Sequence, residues 1–171
     1  MLKRKVTFLS IFAVALAIFV ASQSAFALDK FVSYANARFG FSFMRPVSFT
    51  ALAEPANGDG QVFISKQLKM KITGSGFYNV LEQSALEVAV ESVPDGVNYK
   101  KLNCRTNSDN DISVTWQDKG YVYLIRVIRT QAKNEQDPER LLSLRIEYPR
   151  KNEAKCRKYA ERVINSLHEV D

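Results

Sequence analysis

Few side chains in this sequence can do chemistry, and their spacing limits what that chemistry is. Histidine, the commonest general base and metal ligand, occurs once, as His168 close to the end of the 171-residue chain. A Ser-His-Asp or Cys-His arrangement would have to recruit it from a terminal turn. One histidine with two distant cysteines also makes a poor zinc site. A solvated histidine on the last helical turn is the expectation.

The oxygen-bearing residues come nearer to a pattern. In "NSDNDISVTWQD", residues 107–118, Asn107, Asp109 and Asp111 match the first, third and fifth ligands of a calcium loop, and Asp118 the twelfth. The sixth position calls for glycine and is Ile112, and the following residues alternate as a strand, so a polar hairpin connection is expected instead. Asp59 and Asp95 also sit at turns, where aspartate is ordinary. A carboxylate-based envelope hydrolase stays only as an enzymatic alternative to a non-enzymatic protein. "GDG" and "GSG" are too short for a phosphate loop and lack the strand-to-helix setting. "GSGFYN" precedes a helical segment, which leaves an anion at that helix N-terminus as an alternative. No cofactor is implied.

Tyrosine and arginine are better supplied. Tyr121, Tyr123, Arg126, Arg129 and Arg145 fall on neighbouring predicted strands, and these residue types are enriched at protein interfaces. They are the candidate partner-binding set. The competing reading is an outer sheet face carrying ordinary cross-strand aromatic and charged pairs.

The elements that position these groups follow from periodicity. Phe39, Phe41 and Phe43 alternate with Gly40, Ser42 and Met44 in "NARFGFSFMRP". Period two puts the three rings on one core-facing strand, which Pro46 ends. "EPANGDG" is turn chemistry, and "QVFIS" and "KMKITGSGF" read as second and third strands. From Asn79 the spacing changes to three and four. Leu81, Ala85, Leu86, Ala89, Val90 and Val93 form the apolar stripe of a helix, with Asn79 and Glu82 as its capping box and Pro94-Asp95-Gly96 as its stop. "VNYKKLNC", "ISVTWQ", "YVYLIRVIRT" and "LLSLRIEYP" read as four further strands, the third of them apolar on both faces and hence interior to the sheet. "KNEAKCRKYAERVINSLHEV" closes as a helix with Cys156, Tyr159, Ala160, Val163, Ile164 and Leu167 inward. The order βββ-α-ββββ-α predicts an α+β domain, an antiparallel sheet of about six to seven strands with two helices packed on it.

The chain opens with Lys3, Arg4 and Lys5, an apolar run from Val6 to Val20, and Ala25-Phe26-Ala27. That is the pattern of a signal peptide at 1–27, cleaved after Ala27. About 15 apolar residues fall short of the roughly 20 that span a bilayer, so no stable membrane span is expected after cleavage. Residues 28–171 then suit one domain. Without the three leader bases, 21 Lys+Arg face 18 Asp+Glu, a net charge of +3. The charges are interspersed, as in "RKNEAKCRKYAER". Nucleic-acid binding, which needs a concentrated basic footprint, is not expected. The predicted location is periplasmic or secreted. There Cys104 and Cys156 meet an oxidising environment, and a disulfide closing a loop of about 50 residues would stabilise by roughly 4 kcal/mol. Two separate buried thiols are the alternative.

The stretch "SYANARFGFSFMRPVSF" resembles an opening shared by a large group of small exported bacterial proteins: a tyrosine, a few residues, (Phe/Tyr)-Gly-Phe-Ser, then proline near the strand end. "PANGDGQVFIS", the helix after "GSGFYN", and "LRIEYP" with "AERVINSLH" follow in the same order. The similarity covers about Tyr34 to Leu167. It is to the fold of the PsbP-type extrinsic subunits of photosystem II and the Mog-type Ran-binding proteins. It implies an antiparallel sheet with helices on it and a non-enzymatic protein that docks on a partner. It transfers no binding residue, and a Cys104–Cys156 bridge would be a local addition to it. The expected function is an exported binding domain of the cell envelope that docks on a protein partner. An immunity or inhibitor protein against a toxin or hydrolase and a small-ligand carrier are the alternatives. The partner and the oligomeric state are not specified by the residues.

Overall fold

Alternating apolar residues form strands where expected, but they sort into two sheets. In the computed structural model, which describes residues 29–134 and 136–170, the order is β1 (Phe31–Asn36), β2 (Phe41–Pro46), β3 (Thr50–Ala51), β4 (Gly60–Ser65) and β5 (Met70–Tyr78). Helix α1 (Ala85–Glu91) follows, then β6 (Asn103–Ser108), β7 (Asp111–Asp118), β8 (Tyr121–Arg129), β9 (Arg140–Pro149), helix α2 (Glu153–Ile164) and β10 (His168–Glu169). The signal peptide expected at 1–27, with its expected cleavage after Ala27, lies outside the described residues.

Seven strands form one antiparallel sheet in the order β3-β4-β5-β9-β8-β7-β6. The chain has the predicted α+β architecture, with β9 at the centre and β8 beside it. The aromatic strand β2 is not part of that sheet. It pairs with β1 and β10 in a separate three-stranded sheet. Its rings Phe41 and Phe43, with Phe39 just before it, are fully or nearly fully buried.

The two helices cover opposite faces of the large sheet. On one face, α2 and the small sheet enclose Phe41, Phe43, Ile72, Leu142, Leu144, Ile146, Val163 and Leu167. On the other, α1 covers Val114, Trp116, Ile125, Val127 and Leu141 with Ala85, Val88 and Ala89. The "GSG" segment now has a reason. A Cβ on Gly74 would overlap the Phe43 ring, and one on Gly76 would come within 2.5 Å of Phe39 Cβ. These glycines on β5 are seats for the aromatic run, because only a residue without Cβ admits so close an approach.

Several elements differ from expectation. β1 is not among the expected strands, and of the segment read as the strand "VNYKKLNC" only Asn103 and Cys104 lie in β6, with a 3-10 turn at Tyr99–Lys101 before it. Helix α1 starts five residues late, with Ser84 as N-cap and Glu87 completing the capping box. Asn79 instead bonds the backbone of Gln83 and the Glu139 carboxylate, and Glu82 takes a positive φ of 54°. Leu81 and Leu86 are consequently exposed, while Val88 points inward. At the other end, α2 stops at Ile164. His168 therefore sits on β10, paired opposite Ser42, and not on a helical turn.

Candidate functional site

Antiparallel register decides which of the tyrosines and arginines meet. Trp116 on β7 lies opposite Tyr123 on β8, which lies opposite Glu147 on β9. Arg145, two residues before Glu147, reaches the same face. The Trp116 and Tyr123 rings stack with centroids 5.2 Å apart and planes 13° apart, and Tyr121 joins at 6.2 Å. The Arg145 guanidinium lies over both rings, 5.7 Å from the Trp116 centroid and 5.4 Å from that of Tyr123. This is the arrangement in which the ring quadrupole attracts a cation. Glu147 holds Lys71 of β5 at 2.5 Å and Arg145 Nε at 3.9 Å. The longer distance is ionic contact without a hydrogen bond, and Arg145 Nε and Trp116 Nε1 are both buried donors with no acceptor. Burial, reinforced by Glu147 and Asp118, pushes the Tyr123 hydroxyl up from its ordinary pKa.

Of the five interface candidates, Tyr121, Tyr123 and Arg145 assemble here and two do not. Arg126 points through the sheet to the opposite face. There its Nε and Nη2 donate to both Asp111 oxygens, at 2.8 and 2.7 Å, and its Nη1 donates to the Ile164 carbonyl at 3.1 Å. It is a half-buried strut that closes the C-terminal end of α2, where a cation is favoured. Arg129 keeps to the aromatic face but lies six residues further along β8 from Tyr123, with Nε 2.7 Å from Glu139. Trp116 itself is buried in the core under α1, and Lys71 and Glu147 join the group only through a strand register that the sequence does not reveal.

A second concave region lies on the α2 face. The sheet beyond Leu124 turns polar there, and a cleft of roughly 630 Å³ opens between Arg105, Ser113, Thr115 and Gln117 on the strands and Arg157 and Glu161 on α2. It is open and mixed in charge, unlike a closed apolar carrier cavity.

The remaining chemical candidates resolve into structure. Asp111, the fifth residue of the calcium-like pattern, is committed to Arg126. Burial pushes its carboxyl up, but hydrogen bonds from Arg126 and Asn107 with the nearby charges outweigh this and hold it below its usual value. No cluster of three or more metal-ligating side chains occurs among the described residues. Both cysteines are free, Cys104 exposed and Cys156 buried. Cys104 shares a face with its cross-strand partner Val114, in the core under α1, whereas Cys156 belongs to the core under α2. The expected bridge is therefore not the arrangement found: the sheet stands between the thiols. Burial pushes the Cys156 thiol up to about 11 and the Tyr148 hydroxyl up to about 12.

No family model and no curated protein sequence matches this chain. Solved structures do. Cyanobacterial PsbP (CyanoP) from Synechocystis sp. PCC 6803 matches with a TM-score of 0.53 at 12% identity, covering 85% of this chain and 95% of its own. The Saccharomyces cerevisiae Ran-binding protein Mog1p matches with a TM-score of 0.51 at 12% identity, covering 84% and 97%. The fold is the PsbP/Mog type. Mycobacterium tuberculosis LpqN, described as involved in cell envelope biogenesis, matches at 9% identity with a TM-score of 0.46, covering 83% and 91%. At such identities the likeness to PsbP and Mog1p is one of fold. No helix among the described residues is long and apolar enough to cross a membrane.

Proposed function

We propose that this PsbP/Mog-type chain is an exported, non-enzymatic binding domain of the cell envelope, periplasmic or secreted, and that it docks on a protein partner through the open sheet face around Tyr121, Tyr123 and Arg145. The observation that carries the reading is the stack itself. A guanidinium is held over two packed aromatic rings, with the half-exposed Tyr121 and the Lys71–Glu147 pair beside it. Its residue types are those that anchor interfaces, and Tyr121, Tyr123 and Arg145 keep solvent access while Trp116 beneath them is buried. The signal-peptide pattern expected at 1–27 supports export. Mog1p, a Ran-binding protein, illustrates the fold in a binding role.

The test uses the processed protein as bait in envelope extract after mild cross-linking, beside a Tyr121→Ser/Arg145→Glu double variant. A stoichiometric partner recovered by the wild type and lost by the variant supports the reading. An empty capture, or equal capture by both, sinks it. If the partner is a toxin or hydrolase that the protein inhibits, the role narrows to immunity. The cleft beside α2 favours a second reading, a carrier of a small polar ligand. Native mass spectrometry of protein purified from the envelope, finding no added mass under gentle conditions, would remove it.

A further inference from the structure

The charges of this protein are interspersed in sequence but not in space. At the end of the large sheet where β4, β7 and β9 finish, three connections come together. The β4–β5 turn presents Lys66 and Lys69, the β7–β8 turn presents Lys119, and the passage from β9 to α2 presents Arg150 and Lys151. Lys69, Arg150 and Lys151 line one shallow concavity with Gly120 and Tyr121, and the Arg150 amide donates to the Gly120 carbonyl across it. All five cations are exposed. Asp118 and Glu153 flank them, but Glu153 is engaged by Arg157. Lys100 and Lys101 extend the cluster where the chain enters β6.

Backbone conformation adds an independent observation. Lys69 and Lys119 adopt φ of 52° and 45°, and among the described residues only Glu82 joins them as a non-glycine with positive φ. Lys119-Gly120 is a two-residue hairpin connection between the paired residues Asp118 and Tyr121. Asparagine-glycine is the favoured pair there, and an ordinary side chain at positive φ is strained. Strained positions cluster at functional sites, and here two of the three are lysines of one charged end. The far end, where β5 and β8 finish, has no such excess of one sign. Arg129 and Arg140 are paired with Glu139, Asp137 and Glu169, and Glu82, Glu87 and Asp109 stand there with Arg38 and Lys133.

We propose that this basic end docks on an anionic lipid surface. The cations belong to separate turns and spread over the end of the sheet, which suits a plane of headgroups. No buried polar group is aimed at a single point, as a pocket for one phosphate would require. Anionic headgroups attract each surface cation by about a fivefold gain in affinity. Docked this way, the strands stand on the membrane, Tyr121 lies at its edge, and the face carrying Tyr123 and Arg145 is turned sideways. The inference does not depend on that partner existing.

The test is flotation with vesicles of equal parts phosphatidylglycerol and phosphatidylcholine, against phosphatidylcholine alone, using the processed protein. Binding to the anionic vesicles alone is expected, and it is lost by about 0.5 M salt, where the Debye length falls to about 4 Å. The variant Lys69→Asn/Lys119→Asn/Lys151→Gln removes three cations, two at positions where asparagine tolerates the backbone better than lysine, so it folds. It is expected to bind about a hundredfold more weakly. A control with the same change in net charge, Arg38→Gln/Arg105→Gln/Lys158→Gln, stays within about threefold, because none of these side chains belongs to the three connections at the basic end. No binding by the wild type, or equal losses in both variants, overturns the proposal. So does capture by polyglutamate without vesicle binding, which would assign the surface to an acidic polypeptide.

Discussion

If Gly74 is a seat for the Phe43 ring, the two residues must be energetically coupled. Gly74→Ala places a methyl where Phe43 Cε1, Cζ and Cδ1 already lie, and Phe43 is fully buried, so neither side can yield outward. Overpacking of this kind costs about 1–3 kcal/mol. Alanine returns about 0.5–1 kcal/mol of backbone entropy in a strand interior, so a net loss of roughly 0.5–2 kcal/mol is expected. Phe43→Leu removes the far ring atoms and costs on the order of 1–2 kcal/mol by itself, well short of the loss for full truncation. In the Phe43→Leu background the overlap is gone, and Gly74→Ala becomes neutral or stabilising by about 0.5 kcal/mol. The coupling energy is then about 0.5–2.5 kcal/mol, within the range measured for residues in contact. Urea unfolding followed by the fluorescence of Trp116, the only tryptophan, measures all four corners of the cycle. Trp116 lies in the core under α1, so it reports unfolding at a distance from the perturbed pair. If Gly74→Ala costs the same in both backgrounds, the steric account of the "GSG" segment is refuted.

Other outcomes follow from the same structure. In native protein at pH 8, a thiol reagent labels Cys104 quickly and leaves Cys156 unmodified until unfolding, since Cys156 is buried with its pKa pushed up to about 11 and the thiolate is the reacting form; a recovered Cys104–Cys156 bridged peptide refutes the placement. Asp111 is held below its usual pKa in the folded state, so its contribution to stability is present above the unfolded value of about 4 and lost as pH falls through the folded one. Asp111→Asn is therefore expected to flatten that acid slope and to cost about 2–3 kcal/mol at neutral pH, less than a fully buried pair because both side chains keep some water contact; an unchanged slope in acid unfolding counts against it. Ser84→Ala should cost about 1 kcal/mol through loss of the cap, whereas Glu82→Gln should be nearly neutral; equal effects in thermal unfolding would return the cap to Asn79.

Local signals were read correctly from the sequence wherever the deciding interactions lie between near neighbours in the chain. The alternation of Phe39, Phe41 and Phe43, the turn at "EPANGDG" and the apolar spacing of the two helices set element type and order, and with them the α+β class. The helix start was missed by five residues because two capping patterns overlap. Ser84-x-x-Glu87 prevailed once Glu139, distant in sequence, engaged Asn79. Whether β2 belongs to the large sheet was not legible either, since that depends on β10 arriving from the far end of the chain.

The candidate site shows where local information stops. Composition and period two already supplied Tyr121, Tyr123 and Arg145 as a set with Arg126 and Arg129. Alternation alone separates Arg126 from Tyr123, which the strand pattern contained and the grouping overlooked. Bringing Arg145 over Trp116, and Glu147 to Lys71, required the β5-β9-β8-β7 register, which is fixed by pairing between distant strands and by the cores on both faces. The same is true of the cysteines, which share an oxidisable chemistry but are divided by the sheet. It holds equally for the lysines, spread along the sequence and gathered by three turns at one end. Residue types, periods and turns were determined by the chain itself, because their energetics are local. Which side chains face one another was decided by tertiary structure, because a pleated strand sends successive residues to opposite faces and only the pairing of distant segments says what waits there.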